Sequence, residues 1–213
     1  MAASTKNQST TSGNPQAVKI VGIIAAVIVV LLLIAVVSGV IGNEEPGNEY
    51  GDPQVSGQLS LMPPNTRVDA SANGETAPTV IGQDFDDNEV RIESDGRAKA
   101  IVLLAHWCPH CQDEVPAVQA WLDAGGGVEG VDMYSIATAM DSNRDNFPPS
   151  EWLDREGWTV PVIRDDSSNS IHAAYGSGGF PFWVFVNSDG TVAFRVAGAT
   201  TVEELELIMS ELN

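Results

Sequence analysis

Apolar and polar positions divide this 213-residue chain into four stretches. Residues 1–17, "MAASTKNQSTTSGNPQA", are polar with nothing to bury and read as a disordered tail. From Ile20 to Ile41 the sequence is "IVGIIAAVIVVLLLIAVVSGVI", without a charge. A helix of that length covers about 33 Å, enough for a hydrocarbon core of about 30 Å. The apolar part of a cleaved secretory signal is shorter, about 7–15 residues, and leads to a small-x-small site. "AVVSGVI" offers no convincing site of that kind, so residues 18–41 are expected to be an uncleaved transmembrane anchor. Residues 42–66 are rich in Gly, Asn, Pro, Glu and Gln, the composition of a flexible spacer. Residues 67–213 have the length of one domain with a proper core.

Within 67–213 the hydrophobic period alternates between that of strands and that of helices. Short β segments are expected near Thr79–Gly82 and Val90–Ile92, on either side of the turn-rich "QDFDDN". "AKAIVLLA" (98–105) reads as a strand buried on both faces. From Cys108 to about Ala124 the spacing turns helical, with Cys111, Val115, Val118 and Leu122 on one face and "GGG" at 125–127 behind. "VDMYSIAT" (131–138) is a second interior strand. "PPSEWLDREG" has prolines in front and glycine behind, the order a helix prefers. "VPVIRDD" follows as a short strand and 168–175 as a short helix. "FWVFV" (182–186), the turn "NSDG" and "TVAFRVA" form an antiparallel hairpin. "TVEELELIMSEL" closes the chain as a helix with a capping box from Thr201 and Glu204. The whole predicts an α/β fold with a central mixed sheet.

Charge adds an orientation and removes a partner class. All 29 acidic residues lie at or after Glu44, and Lys6 and Lys19 are the only charges before it. Beyond residue 43 eight basic residues face those 29 acids, a formal charge of −21. So acidic a domain repels phosphates, which argues against nucleic acid as a partner. Two lysines ahead of the apolar span place the N-terminus in the cytoplasm and the acidic domain outside it.

Both cysteines of the chain fall in "HWCPHC", His106 to Cys111. A structural crosslink closing so short a loop restricts the unfolded chain only slightly, by roughly 2 kcal/mol. A metal site has candidate ligands in His106, Cys108, His110 and Cys111, but no second cysteine pair stands elsewhere, and a helix starting at 108 scatters these four. A redox dithiol fits the local pattern. Cys108 meets a helix N-terminus, where free N–H groups and the helix dipole favour a thiolate. Cys111 lies one turn deeper on the same side. Pro109 suits the first turn, and His110 can donate toward the Cys108 sulfur. His106 reads as closing the strand end, and His172 as an ordinary surface or core residue. Trp121, Trp152, Trp158, Trp183 and Phe185 read as packing.

At "WCPHC" the chain resembles the thioredoxin superfamily, over most of 67–213, and more closely its membrane-anchored, extracytoplasmic TlpA/ResA-like thiol–disulfide oxidoreductases. Trp107 precedes the first cysteine as in the family motif, and Pro116 matches the proline that kinks the active-site helix. "GGFPFWVFVNSDGTV" matches the segment holding the family's cis-proline, which makes Pro181 that residue. The distance from Cys108 to Pro181 leaves room for the helix and strand this branch inserts centrally. Glu114 matches an acidic residue that the branch keeps beside its dithiol. Val102 stands where thioredoxin carries a buried Asp, and Pro109–His110 is the dipeptide of the strongly oxidising DsbA proteins.

The resemblance implies thiol–disulfide exchange without a cofactor or a metal. Cys108 and Cys111 would carry the chemistry, with Pro109, His110 and Glu114 tuning it and moving protons. Trp107, Phe180 and Pro181 would contact the substrate. The partners implied are cysteine-containing exported proteins and a redox partner in the membrane. The His110 position favours a disulfide donor; a reductase supporting cytochrome c maturation, or a copper metallochaperone on the same fold, are the alternatives. Copper-binding relatives use Cys-x-x-x-Cys with a distant histidine, one residue more than the spacing here.

Overall fold

In the computed structural model, which describes residues 49–213, two sheets and four helices account for the alternating pattern. Strands β1 (Gln54–Ser56), β2 (Val68–Asp69), β3 (Thr79–Gln83), β4 (Glu89–Ile92) and β5 (Ala98–Leu104) lead into helix α1 (Pro109–Asp123). Then follow β6 (Val131–Ala137), α2 (Pro149–Arg155), β7 (Val162–Arg164), α3 (Ser170–Ala174), β8 (Phe182–Val186), β9 (Val192–Ala197) and α4 (Val202–Ser210). The large sheet has the order β2-β9-β8-β5-β6-β7; β1, β3 and β4 form a small antiparallel one. In the large sheet β5 pairs parallel with β6 and antiparallel with β8, so the sheet is mixed as expected.

Strand β5 is buried from end to end. Its side chains alternate between two cores, as the period of two requires. Ile101 and Leu103 join Val80, Ile92, Ile136, Ile163, Tyr175 and Phe182 beneath the small sheet and α3. Ala100, Val102 and Leu104 join Cys108, Cys111, Val115, Val118, Trp183 and Leu205 beneath α1 and α4. Lys99 interrupts the apolar run, yet it too is buried; its ammonium bonds to Asp95 and to the Arg97 carbonyl. The capping box of α4 is formed as expected, with the Thr201 hydroxyl accepting from the Glu204 N–H.

The expected tail and the transmembrane span lie outside the described residues, among which no helix is long and apolar enough to cross a membrane. The spacer expected at 42–66 needs correction over its described part. β1 pairs with β3, Leu59 and Met62 are buried, and their N–H groups donate to the Ala174 and Gly176 carbonyls. The isolated apolar residues of this stretch show no period, because its order comes from backbone pairing with distant elements. The folded domain therefore includes residues well before 67.

One buried cation fastens that stretch. Arg195 on β9 is fully buried; it makes an ion pair with Asp69 of β2, Nε lying 3.0 Å from Oδ2. Its Nη1 donates to the Ser60 carbonyl at 2.7 Å and to that of Tyr175 at 3.1 Å. Gly176 leaves room for this knot: a Cβ there would stand 2.3 Å from the Ser60 oxygen, and its φ of +64° suits glycine. Removing one member of a buried pair strands the other charge. Asp69→Ala should lower the unfolding free energy by about 3–5 kcal/mol in urea titrations. Arg67→Ala, which breaks an exposed pair with Glu204, should cost less than about 1 kcal/mol.

Candidate active site

Where β5 leaves the sheet, residues 105–107 turn the chain directly into α1. Cys108 is the N-cap, in extended backbone, with its N–H donating to the Ala105 carbonyl at 2.9 Å. Pro109 occupies the first helical turn, and Pro116 stands inside the helix. The two cysteines are free thiols, both buried, with Cys111 wholly enclosed. The Phe180–Pro181 peptide is cis, in agreement with the resemblance. The Cys108 Sγ lies 3.5 Å from the Phe180 carbonyl oxygen. The strand end, the helix start and the proline turn thus converge on one sulfur.

The two sulfurs sit in opposite electrostatic settings. Cys108 is brought down to about 6, foremost by the hydrogen bond from the Cys111 thiol. Burial works against this, while the N–H groups of Cys111 and His110 assist and the charge of the exposed His110 ring contributes last. Cys111 is pushed far above the ordinary thiol range by that same hydrogen bond and by burial. The setting holds one proton between two sulfurs and keeps it on the inner one.

Glu114 lies one turn further along α1, buried. The Trp183 Nε1 donates to its Oε1 at 2.6 Å, and the Thr200 N–H to its Oε2 at 3.3 Å. Burial outweighs these donors and raises the carboxyl to about 7. Sequence reasoning treated Trp183 as packing and passed over Thr200. A glutamate on the apolar face of α1, one turn from Cys111, was the signal that some buried donor must meet it. Val102 packs in the same cluster as both cysteines, so the position of thioredoxin's Asp is apolar here.

Around the dithiol stands an aromatic rim. Trp107 meets Phe180 edge-on at 6.0 Å between ring centroids, and its Nε1 donates to the Ala139 carbonyl at 2.7 Å. The His172 ring lies 5.2 Å from that of Phe180, so this histidine belongs to the rim. The Arg144 guanidinium covers the Trp107 ring at 4.3 Å. His106 does close the strand end: Nδ1 donates to the Asp145 carbonyl at 2.8 Å and Nε2 accepts from the Asp141 N–H at 3.1 Å. Those two bonds fix a neutral imidazole, and burial lowers its basicity further. With both nitrogens engaged, His106 is withdrawn from the metal set the motif offered. Among the described residues no group of His, Cys, Asp and Glu is placed to hold a metal ion.

The chain is similar to known proteins in sequence and in fold. The sequence profile of the Redoxin family matches residues 72–207. The chain belongs to the Redoxin family. Its likeness to thiol–disulfide oxidoreductase ResA of Geobacillus thermodenitrificans is 27% identity over 143 residues, covering 66% of this chain and 78% of that protein. The fold matches a DsbF homologue from Corynebacterium diphtheriae with a TM-score of 0.57 at 14% identity, over 73% of this chain and 100% of the other. A thioredoxin-family thiol:disulfide interchange protein from Chlorobium tepidum TLS matches with 0.53 at 23% identity, over 67% and 99%. The redoxin is a TlpA/ResA-like member of the thioredoxin superfamily, and its activity is thiol–disulfide exchange.

Two outcomes follow from the electrostatics. Cys111→Ala removes the leading support of the Cys108 thiolate, so the pH midpoint for alkylating Cys108 should rise from about 6 to above about 7. His110→Ala should move that midpoint less. The second outcome concerns stability. Glu114 binds its proton more tightly folded than unfolded, so its contribution is complete below 4.5 and is lost as pH rises through about 7. Glu114→Gln should flatten the stability profile of the reduced protein across that window, as read by urea unfolding at successive pH values.

Proposed function

We propose that this redoxin is a membrane-anchored, extracytoplasmic disulfide reductase acting on cysteines of exported proteins. In this reading Cys108 is the nucleophile and Cys111 the resolving thiol. Glu114 accepts the proton of Cys111, and Pro109 and His110 shape the first helical turn. Trp107, Phe180 and Pro181 receive the substrate backbone as a short added strand. The apolar span at residues 20–41 serves as anchor and the lysines before it set the orientation.

The reaction conserves atoms and electrons. The Cys108 thiolate attacks one sulfur of a substrate disulfide; that bond breaks, a mixed disulfide forms, and the other substrate sulfur leaves as thiolate. Cys111 was held protonated foremost by its bond to the Cys108 thiolate, and that charge is now consumed. Its proton passes to the Glu114 carboxylate, which is partly ionised near neutral pH. The Cys111 thiolate then attacks the Cys108 sulfur and releases the second substrate thiolate. Two electrons have moved to the substrate, and the protein holds a Cys108–Cys111 disulfide. Regeneration requires a dithiol donor supplied through the membrane. The resolving thiol is thus released only after the nucleophile has reacted.

The electrostatics of the Cys108 thiolate support this direction. The Pro109–His110 dipeptide favours a donor of disulfides, but the Cys111 thiol and two backbone N–H groups act ahead of the His110 ring. A thiol near 6 gains only about fivefold over thioredoxin's value of about 7 at neutral pH, worth about 20 mV. DsbA, with its thiol near 3.5, gains several hundred-fold more. The reductase alternative is therefore the better supported. Equilibrating the full-length protein with glutathione buffers should give a reduction potential of about −250 mV, whereas a value near about −120 mV would make it a disulfide donor.

A further inference from the structure

We infer that Arg144 is a specificity-determining residue that selects substrates carrying an acidic side chain beside the reactive cysteine; this rests on the exchange reaction proposed above. The ion pairs among the described residues engage Arg67, Arg91, Arg97, Lys99, Arg164 and Arg195. Arg144 and Arg155 take part in none of them, and Arg155 donates instead to the Asn146 side-chain oxygen at 3.0 Å. Arg144 is exposed, and its guanidinium lies 4.3 Å from the centroid of the Trp107 ring. What sets Arg144 apart is its place: it stands against the residue preceding the nucleophile.

The acids of its own loop form no ion pair with it, although the Arg144 charge helps to hold the Asp141 carboxyl below its ordinary value. The Asp141 carboxylate is occupied by Asn143, whose N–H and Nδ2 donate to Oδ1 at 3.0 and 3.1 Å. Asp145 bonds through its backbone carbonyl to His106. The loop carrying Arg144 is fastened at three points: the Trp107 indole N–H on Ala139, and the two nitrogens of His106 on Asp141 and Asp145. The two residues of "HWCPHC" that precede the nucleophile therefore fix the cation's place. Stacking on an aromatic face orders the guanidinium while leaving its in-plane N–H donors open.

Arg144, Trp107, Phe180 and His172 form a chain of contacts beside the proline turn, with the cation at one end. A substrate strand lying along Phe180 and Pro181 passes its flanking residues over these side chains. A carboxylate one or two positions from the substrate cysteine, on the Trp107 side, meets the open fork of Arg144. The domain's overall negative charge does not cancel this preference, because it is screened beyond about 8 Å at physiological salt while the fork acts in contact.

The test uses the full-length reduced protein in detergent and peptides joined as symmetric disulfides, identical except for Glu, Gln or Lys beside the cysteine. Single-turnover rates are read by chemical quench and chromatography. The Glu peptide should react about two- to fivefold faster than the Gln peptide, the span of one exposed charge pair, with the Lys peptide slowest. Arg144→Gln, which keeps a stem over Trp107, should bring the three rates together, and Arg144→Lys should keep the order. Equal rates in the wild-type protein, or an unchanged order in Arg144→Gln, would overturn the inference. No Cys108-dependent exchange with any peptide would overturn the reductase reading along with it.

Discussion

Strand β5 hides both its faces, and the rest of the domain is arranged to make that possible. One face needs α1 and α4, the other the small sheet and α3. A strand so enclosed cannot continue into solvent without leaving the sheet, and here it leaves by turning into α1 within a few residues. The N-cap position then falls on Cys108 and the next turn on Cys111. The site's electrostatics are a consequence: the outer sulfur meets free N–H groups and the inner one meets apolar core. Parallel pairing of β5 with β6 carries the connecting helix onto one face, while β8, antiparallel on the other side, brings the proline turn to the same sheet end.

The hydrogen bond between the two sulfurs, together with the deeper burial of Cys111, explains the asymmetry of the pair better than the dipeptide between the cysteines does. The Cys111 thiol, deprived of water, has Cys108 as its partner, and that bond supports the thiolate beside it. Glu114, deprived of water in the same way, retains a proton to near neutrality. Two groups that would rather be neutral therefore stand behind one that is charged. This order suits a sulfur that must attack first and an inner thiol that must wait.

Much of this was legible in the sequence because it depends on local rules. The apolar run of β5, the period of α1, the Thr201–Glu204 cap and the "NSDG" turn each carry their own signal, and each element stands where expected. Pro181 was legible through family resemblance alone. The remainder depends on partners far apart in the chain. Leu59 and Met62 sit in a stretch of spacer-like composition, and it is β3, α3 and Arg195 that order it. Trp183 and Thr200 meet Glu114 across the fold, and Arg144 reaches Trp107 through a loop whose anchor points no periodicity announces. His172 likewise gains its place beside Phe180 from the packing of α3.

The account stands on the claim that fold position makes one sulfur ionise and keeps the other protonated. Thiolate absorbance of the reduced full-length protein, followed through a pH titration, tests it most directly. The account predicts a single step with the amplitude of one thiolate, centred near pH 6, and no second step below about pH 10. Two thiols ionising together near the ordinary cysteine value of 9.0 would contradict it.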